Sequence, residues 1–156
     1  MIEINIPGRD TIIIENIVFD YNGTIAVDGI IPEYLKDKFI QLSKLANLYV
    51  VTADTYGTAI KECEKFGLNV KTFPKGEACL KKHDVVEELN PEKTACLGNG
   101  FNDQDMLMVA KLSIGVLSEE GIYAWLFDKC DVIVKSIEDA LDLFLKPNRI
   151  VALLRK

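Results

Sequence analysis

The chain has 156 residues, 49% of them apolar, and a formal net charge of −6. That is enough for one apolar core and too little for two full domains, and the acidic balance excludes nonspecific attraction to nucleic acid or to an anionic membrane. Four cysteines, Cys63, Cys79, Cys96 and Cys130, show no Cys-x-x-Cys spacing and mostly fall in apolar patterns, so they read as reduced core thiols. The N-terminus carries Glu3, Arg9 and Asp10 among its apolar residues and breaks at Pro7-Gly8. This pattern suits neither a signal peptide nor a membrane span, and the cytoplasm is the expected location.

Ile2 to Ile6 and Thr11 to Ile14 flank Pro7-Gly8-Arg9-Asp10 and read as a β-hairpin. The second strand leads through Glu15-Asn16 into Ile17-Val18-Phe19-Asp20, giving an almost uninterrupted apolar strand from Ile12 to Phe19 that ends on a carboxylate entering the turn Tyr21-Asn22-Gly23-Thr24. Pro32-Glu33 opens a helix through about Ala46, with Leu35, Phe39, Leu42 and Leu45 spaced for a buried stripe. The pattern then predicts a strand over 48–51, a helix over 56–66, a strand over 70–73, a helix over 76–89 and a strand over 94–97. Asp103 to Leu112 is expected to be helical, Ile114 to Val116 a short strand, Glu119 to Phe127 helical, Val132 to Val134 a strand and Ile137 to Leu145 a helix. Pro147 sets off an amphipathic segment from Arg149 to Lys156. Such alternation predicts an α/β fold, a doubly wound parallel sheet preceded by an N-terminal β-hairpin, in a single domain over 1–156.

Four strand ends carry polar chemistry. Asp20 ends the first central strand, Thr52-Ala53-Asp54 follows the second, Pro74-Lys75-Gly76 the third, and Gly98-Asn99-Gly100-Phe101-Asn102-Asp103 the fourth. Ligands of open parallel sheets bind at such carboxyl ends. Asp20 and Asp103 offer hard oxygen ligands for Mg²⁺, while Thr52 and Lys75 can donate to phosphoryl oxygens on which charge accumulates. Asp20 read alone has a plainer explanation, as a cap for the amides of the turn that follows. The basic cluster Lys71, Lys75, Lys81, Lys82 and His83 reads mostly as the solvated face of a helix.

Taken together, these four segments resemble the motifs of the haloacid dehalogenase superfamily, over roughly Ile17 to Val134. Thr52-Ala53-Asp54 is similar to the Thr-Gly-Asp of P-type ATPases, and Gly98-Asn99-Gly100-Phe101-Asn102-Asp103 to their Gly-Asp-Gly-x-Asn-Asp, so the chain looks most like small soluble P-type-ATPase-like members. The resemblance implies a Rossmann-like core, an Asp20 nucleophile that accepts the phosphoryl group, and phosphate binding by Thr52, Ala53, Lys75 and Asn102. It also implies a Mg²⁺ cofactor held by Asp20, the backbone carbonyl of Asn22, Asn99 and Asp103, with Asp103 serving the lysine as well.

Two residues depart from the family pattern. Asn22 stands where phosphatases of the family carry the aspartate that protonates the leaving group, and an amide cannot shuttle that proton. Losing a general acid/base slows a reaction on the order of 10²- to 10⁴-fold, so slow turnover or a long-lived aspartyl phosphate is expected. Asn99 replaces the first acidic residue of the last motif, so its oxygen can coordinate only without charge, and metal binding is expected to depend on phosphate.

The stretches from Asp20 to Thr52 and from Thr52 to Lys75 hold a helix and its connections but no cap domain. Capless relatives tend to act on large substrates or to borrow a lid from a neighbouring subunit, and Tyr21, Val27, Ile30, Ile31 and Tyr34 offer either a lip or ordinary loop packing. The expected protein is a Mg²⁺-dependent phosphohydrolase or phosphotransferase acting on a phosphorylated substrate, with homo-oligomerisation as a source of the lid. Two alternatives stand beside it: a non-catalytic phosphate-binding or regulatory module of the same fold, and a hairpin over Ile2 to Ile14 that binds a partner protein.

Overall fold

The computed structural model describes residues 1–54 and 57–156. Six parallel strands form one sheet in the order β5-β4-β3-β6-β7-β8, where β3 is Asn16–Asp20, β4 Asn47–Thr52, β5 Asn69–Thr72, β6 Thr94–Gly98, β7 Leu112–Val116 and β8 Val132–Val134. The chain winds outward from β3 through β4 to β5, then returns to place β6 on the other side of β3. That reversal opens a crevice at the carboxyl end of β3, which is where Asp20 lies.

Strand periodicity divides the interior into two cores. Ile17 and Phe19 of β3, Leu48 and Val50 of β4, and Ala95 and Leu97 of β6 face one side. There they pack with residues of α1 (Lys36–Ser43), α2 (Thr58–Glu64), α5 (Ile137–Leu145) and α6 (Asn148–Leu154). Val18, Val51 and Cys96, one step out of phase, face the other side and meet α3 (Ala78–Glu88) and α4 (Gln104–Val109). Period-two alternation therefore aims Asp20, two residues after Val18, at the face that carries α3. Cys63, Cys79, Cys96 and Cys130 are all free thiols.

The N-terminal hairpin forms as β1 (Ile2–Ile4) paired antiparallel with β2 (Ile12–Ile14), a separate two-stranded sheet. Ile2, Ile4, Ile12 and Ile14 are buried in the first core. The continuous strand expected from Ile12 to Phe19 is broken at Glu15, whose amide donates to Lys93 O and whose carbonyl accepts from Asn47 N instead of extending the hairpin ladder. Helix α1 stops at Ser43, leaving Leu45 exposed outside the buried stripe of Leu35, Phe39 and Leu42. The helix expected over 56–66 is seen as α2, and its expected first residue, Tyr56, lies outside the described residues.

Two further expectations are corrected. Helix α4 ends at Val109, where Ala110 turns extended (ψ 146°), and Leu112 begins β7. No α-helix forms over Glu119 to Phe127: Gly121 adopts φ +86°, Tyr123 gives its amide to Asn99 O, and only a 3-10 turn forms at Ala124–Asp128. Among the described residues no helix is long and apolar enough to cross a membrane.

Helix α5 is tied to its neighbours through Asp142, which accepts from Lys38 Nζ of α1 at 2.7 Å, Lys146 Nζ at 2.9 Å and Arg149 Nη1 of α6 at 3.3 Å. Hydrogen bonds from Lys146 and Lys38 hold its carboxyl down at about 2. Because that is below an unfolded aspartate's ordinary value of about 3.9, the contribution to stability is full above that value and is lost as pH falls toward the folded one. Asp142→Asn is expected to lower stability by about 1 kcal/mol at neutral pH, the modest size of a partly exposed network. In urea unfolding, the gap from the native chain should close between about pH 4 and pH 2.

Candidate active site

Asp20, Thr52 and the loop after β6 meet at one rim, around a cavity of about 510 Å³. At its base lies a buried triad. Lys82 Nζ, only 2% exposed, donates to Asp20 Oδ1 at 2.6 Å and to Asp103 Oδ1 at 2.6 Å, with Asn102 Oδ1 at 3.4 Å. Burial opposes the Lys82 charge, but the two carboxylates outweigh it and hold its pKa above the ordinary lysine value. Burial also pushes the Asp20 carboxyl up to about 7, with the nearby Asp103 adding to the rise and Lys82 opposing it.

Lys82 was expected on a solvated helix face, and its burial is a correction. It lies one turn before Val86 on the buried stripe of α3, facing the side of the sheet toward which Asp20 points. The signal was present in the sequence: Ala78, Lys82, Val86 and Leu89 recur at helical spacing, with a lysine on an otherwise apolar line. Lys75, the cation expected beside the phosphate, is exposed and lines the cavity from the β5–α3 connection. The ammonium that joins the two carboxylates is that of Lys82.

Asp103 uses both of its oxygens in hydrogen bonds. Its Oδ1 takes Lys82, and its Oδ2 accepts from the amides of Asn99 and Gly100 at 2.9 Å each. The bond to Lys82 agrees with the expectation that Asp103 serves the lysine, and the two amide bonds show that it also folds the loop after β6. Gly98 permits this closeness, since a Cβ there would come within 2.6 Å of Asp103 Cβ.

Asp20 Oδ2 and Asn99 Oδ1 converge on Thr24 Oγ1, at 3.2 and 3.3 Å. Asn99 Nδ2 donates to Gly121 O at 3.2 Å, which aims the amide oxygen, not the nitrogen, at this point. Asn22 is exposed at the cavity, and its carbonyl accepts none of the loop's backbone hydrogen bonds among the described residues. The Asp20 carboxylate oxygen and the Asn99 amide oxygen that meet there are hard oxygen donors of the kind Mg²⁺ takes, and the Asn22 carbonyl is a further oxygen of that kind in the cavity wall. Among the described residues no three His, Cys, Asp or Glu side chains group as a metal cage.

Thr52 is buried at the end of β4 and lines the cavity with Ala53 and Asn102, so the expected phosphate-binding residues share one wall system. Of the expected lip, Tyr21 and Ile31 are buried, Tyr21 Oη donating to Gly29 O at 2.8 Å, while Ile30 and Tyr34 are exposed.

The sheet order and this rim define the class: the chain has the fold of the haloacid dehalogenase-type hydrolases. It resembles the cobalt-bound deoxy-D-mannose-octulosonate 8-phosphate phosphatase YrbI of Haemophilus influenzae with a TM-score of 0.72 at 12% identity, covering 92% of this chain and 94% of that one. A putative HAD family hydrolase from Streptomyces avermitilis gives 0.69 at 17% identity, covering 86% and 93%. A 3-deoxy-D-manno-octulosonate 8-phosphate phosphatase from Moraxella catarrhalis, in complex with magnesium, phosphate and KDO, gives 0.66 at 15% identity, covering 91% and 94%. No protein-family model matches the chain. By sequence it belongs to one family with the uncharacterized protein MJ0073 of Methanocaldococcus jannaschii, to which it is 40% identical over 81 residues, 49% of this chain and 87% of that protein. The uncharacterized protein MJ0072 of the same organism is 46% identical over 39 residues, 25% of this chain and 89% of that one.

Proposed function

We propose that this chain is a Mg²⁺-dependent phosphohydrolase or phosphotransferase that forms an aspartyl phosphate at Asp20. The observation that carries the reading is the buried Asp20–Lys82–Asp103 triad at the floor of a rim cavity. A buried lysine held between two carboxylates is weak evidence for stability alone; set against a cavity at the switch point of an α/β sheet, it holds the Asp20 carboxylate in place beside a cation, as a nucleophile for phosphorus requires. The phosphatases among the structural neighbours, one crystallised with cobalt and one with magnesium and phosphate, support the same reaction class.

In the proposed step an Asp20 oxygen attacks phosphorus, the bond to the leaving group breaks, and the leaving group departs with the electron pair. Lys82 stabilises the carboxylate and the phosphoryl oxygens beside it, Thr52 and Asn102 line the space those oxygens occupy, and Lys75 adds charge at the mouth. A divalent ion held by Asp20, the Asn22 carbonyl and Asn99 would supply Lewis-acid neutralisation of phosphoryl charge. Asp103 acts by holding Lys82 and the loop. The first step is slow for poor leaving groups because Asn22 donates no proton to them; water then releases phosphate and restores the Asp20 carboxylate, again slowly, because Asn22 takes no proton from the attacking water. With one protein carboxylate for the ion, Mg²⁺ affinity should rise when phosphate is present.

A phosphatase screen with Mg²⁺, run beside Asp20→Asn, tests the reading. Phosphate release by the native chain, abolished in the variant, is expected; equal rates in the two would defeat it. That last result would favour the second reading, a phosphate-binding regulatory module, to which Asn22 and Asn99 point.

A further inference from the structure

Phe101, Tyr123 and Trp125 form a row of exposed aromatic rings on the protein surface beside the cavity. Phe101 and Tyr123 meet edge to face with centroids 5.5 Å apart, and Tyr123 stacks on Trp125 at 6.4 Å with 25° between planes. Phe101 is 59% exposed, and Tyr123 and Trp125 are each more than a third exposed. The row is anchored to the site. Phe101 lies between Gly100 and Asn102, both of which line the cavity, and Tyr123 N donates to Asn99 O at 2.7 Å. The turn that carries Trp125 is fastened below by the fully buried Leu126. Lys129 Nζ sits 5.7 Å from the Trp125 ring centroid, adding positive charge at the outer end.

We infer that this row is a substrate subsite, a stacking platform for a planar ring carried by the phosphorylated substrate. The inference rests on the phosphoryl-transfer reading. Asn102 Oδ1 lies 3.4 Å from Lys82 Nζ, and Phe101 stands between the cavity-lining Gly100 and Asn102, so an organic group leaving on that side of the cavity would meet the row. Exposed rings held in fixed orientation offer contact area at little entropic loss, and stacking on such rings is tolerant of ring identity. The chemistry common to an aryl phosphate and a nucleotide is a flat π-face attached to a phosphoryl group, and that is the substrate class this surface selects.

Trp125 is the chain's only tryptophan, so its fluorescence reports on the row directly. The test compares phenylphosphonate with methylphosphonate, binding to the full chain with Mg²⁺ by calorimetry, with Trp125 emission followed in parallel. Phenylphosphonate is expected to bind about tenfold tighter and to change Trp125 emission, with inorganic phosphate reversing the change. In Phe101→Ala and Trp125→Ala the preference should collapse while methylphosphonate affinity holds; Trp125→Phe should retain it. Adenosine 5′-monophosphate beside ribose 5-phosphate separates a nucleobase from a simple aryl ring, and a preference in either pair that vanishes in the alanine variants supports the subsite. Equal affinity within both pairs, or a preference unchanged in those variants, overturns it while leaving the phosphoryl site standing. An assembly that dissociates in Phe101→Ala with binding ratios unchanged would also overturn it and give the row to a second copy of the chain. Failure of every phosphonate and of inorganic phosphate to bind would overturn the phosphoryl site as well.

Discussion

Lys82→Met is expected to lower stability by about 3–5 kcal/mol, because it leaves the carboxylates of Asp20 and Asp103 buried without their shared cation. The same change removes the donor at Asp20 and should lower kcat by about 10²- to 10³-fold in whatever fraction remains folded. Denaturant unfolding separates the two effects. Adding Asp103→Asn should recover part of the stability, since one unpaired charge is gone, yet recover no activity. Lys75→Met is the counterpart: exposed at the cavity mouth, it should shift stability by less than about 1 kcal/mol and act mainly through KM. Comparable losses from the two lysine variants would contradict the assignment of the central ammonium to Lys82.

Asn22→Asp is expected to raise turnover of alkyl phosphomonoesters by about 10²- to 10⁴-fold. The position supports this, since Asn22 lines the cavity and its amide has no hydrogen-bond partner among the described residues, so a carboxyl there meets no competing contact. The gain should depend on the leaving group. Acetyl phosphate expels a carboxylate that needs no proton, and its rate should rise much less. Measured kcat for glycerol phosphate and acetyl phosphate in the two proteins checks the point; a uniform gain, or none, would show that proton transfer is not what Asn22 withholds.

The sheet was legible because its strands are short apolar runs separated by helical periodicity, and the strand ends Asp20, Thr52 and Asn99 to Asp103 announced themselves by ending such runs on polar residues. What escaped was set by three-dimensional phase. That Lys82 reaches Asp20 depends on which sheet face Asp20 points to and which stripe of α3 is buried, and neither is visible in a cluster of lysines read as a solvated helix face. The amide bonds by which Asp103 folds its own loop are a matter of loop geometry that the sequence does not display. The segment from Glu119 to Phe127 carries apolar residues that mimic a helix, but Tyr123 gives its amide to the Asn99 carbonyl and the chain follows the active-site loop.

The most direct measurement is an acid-quenched reaction of the chain with acetyl phosphate and Mg²⁺, followed by peptide mass analysis. One added phosphoryl group is expected on the peptide containing Asp20, dependent on Mg²⁺ and absent from Asp20→Asn. Turnover with the group on another peptide, or with Asp20→Asn labelled as fully as the native chain, would contradict Asp20 as the phosphoryl acceptor.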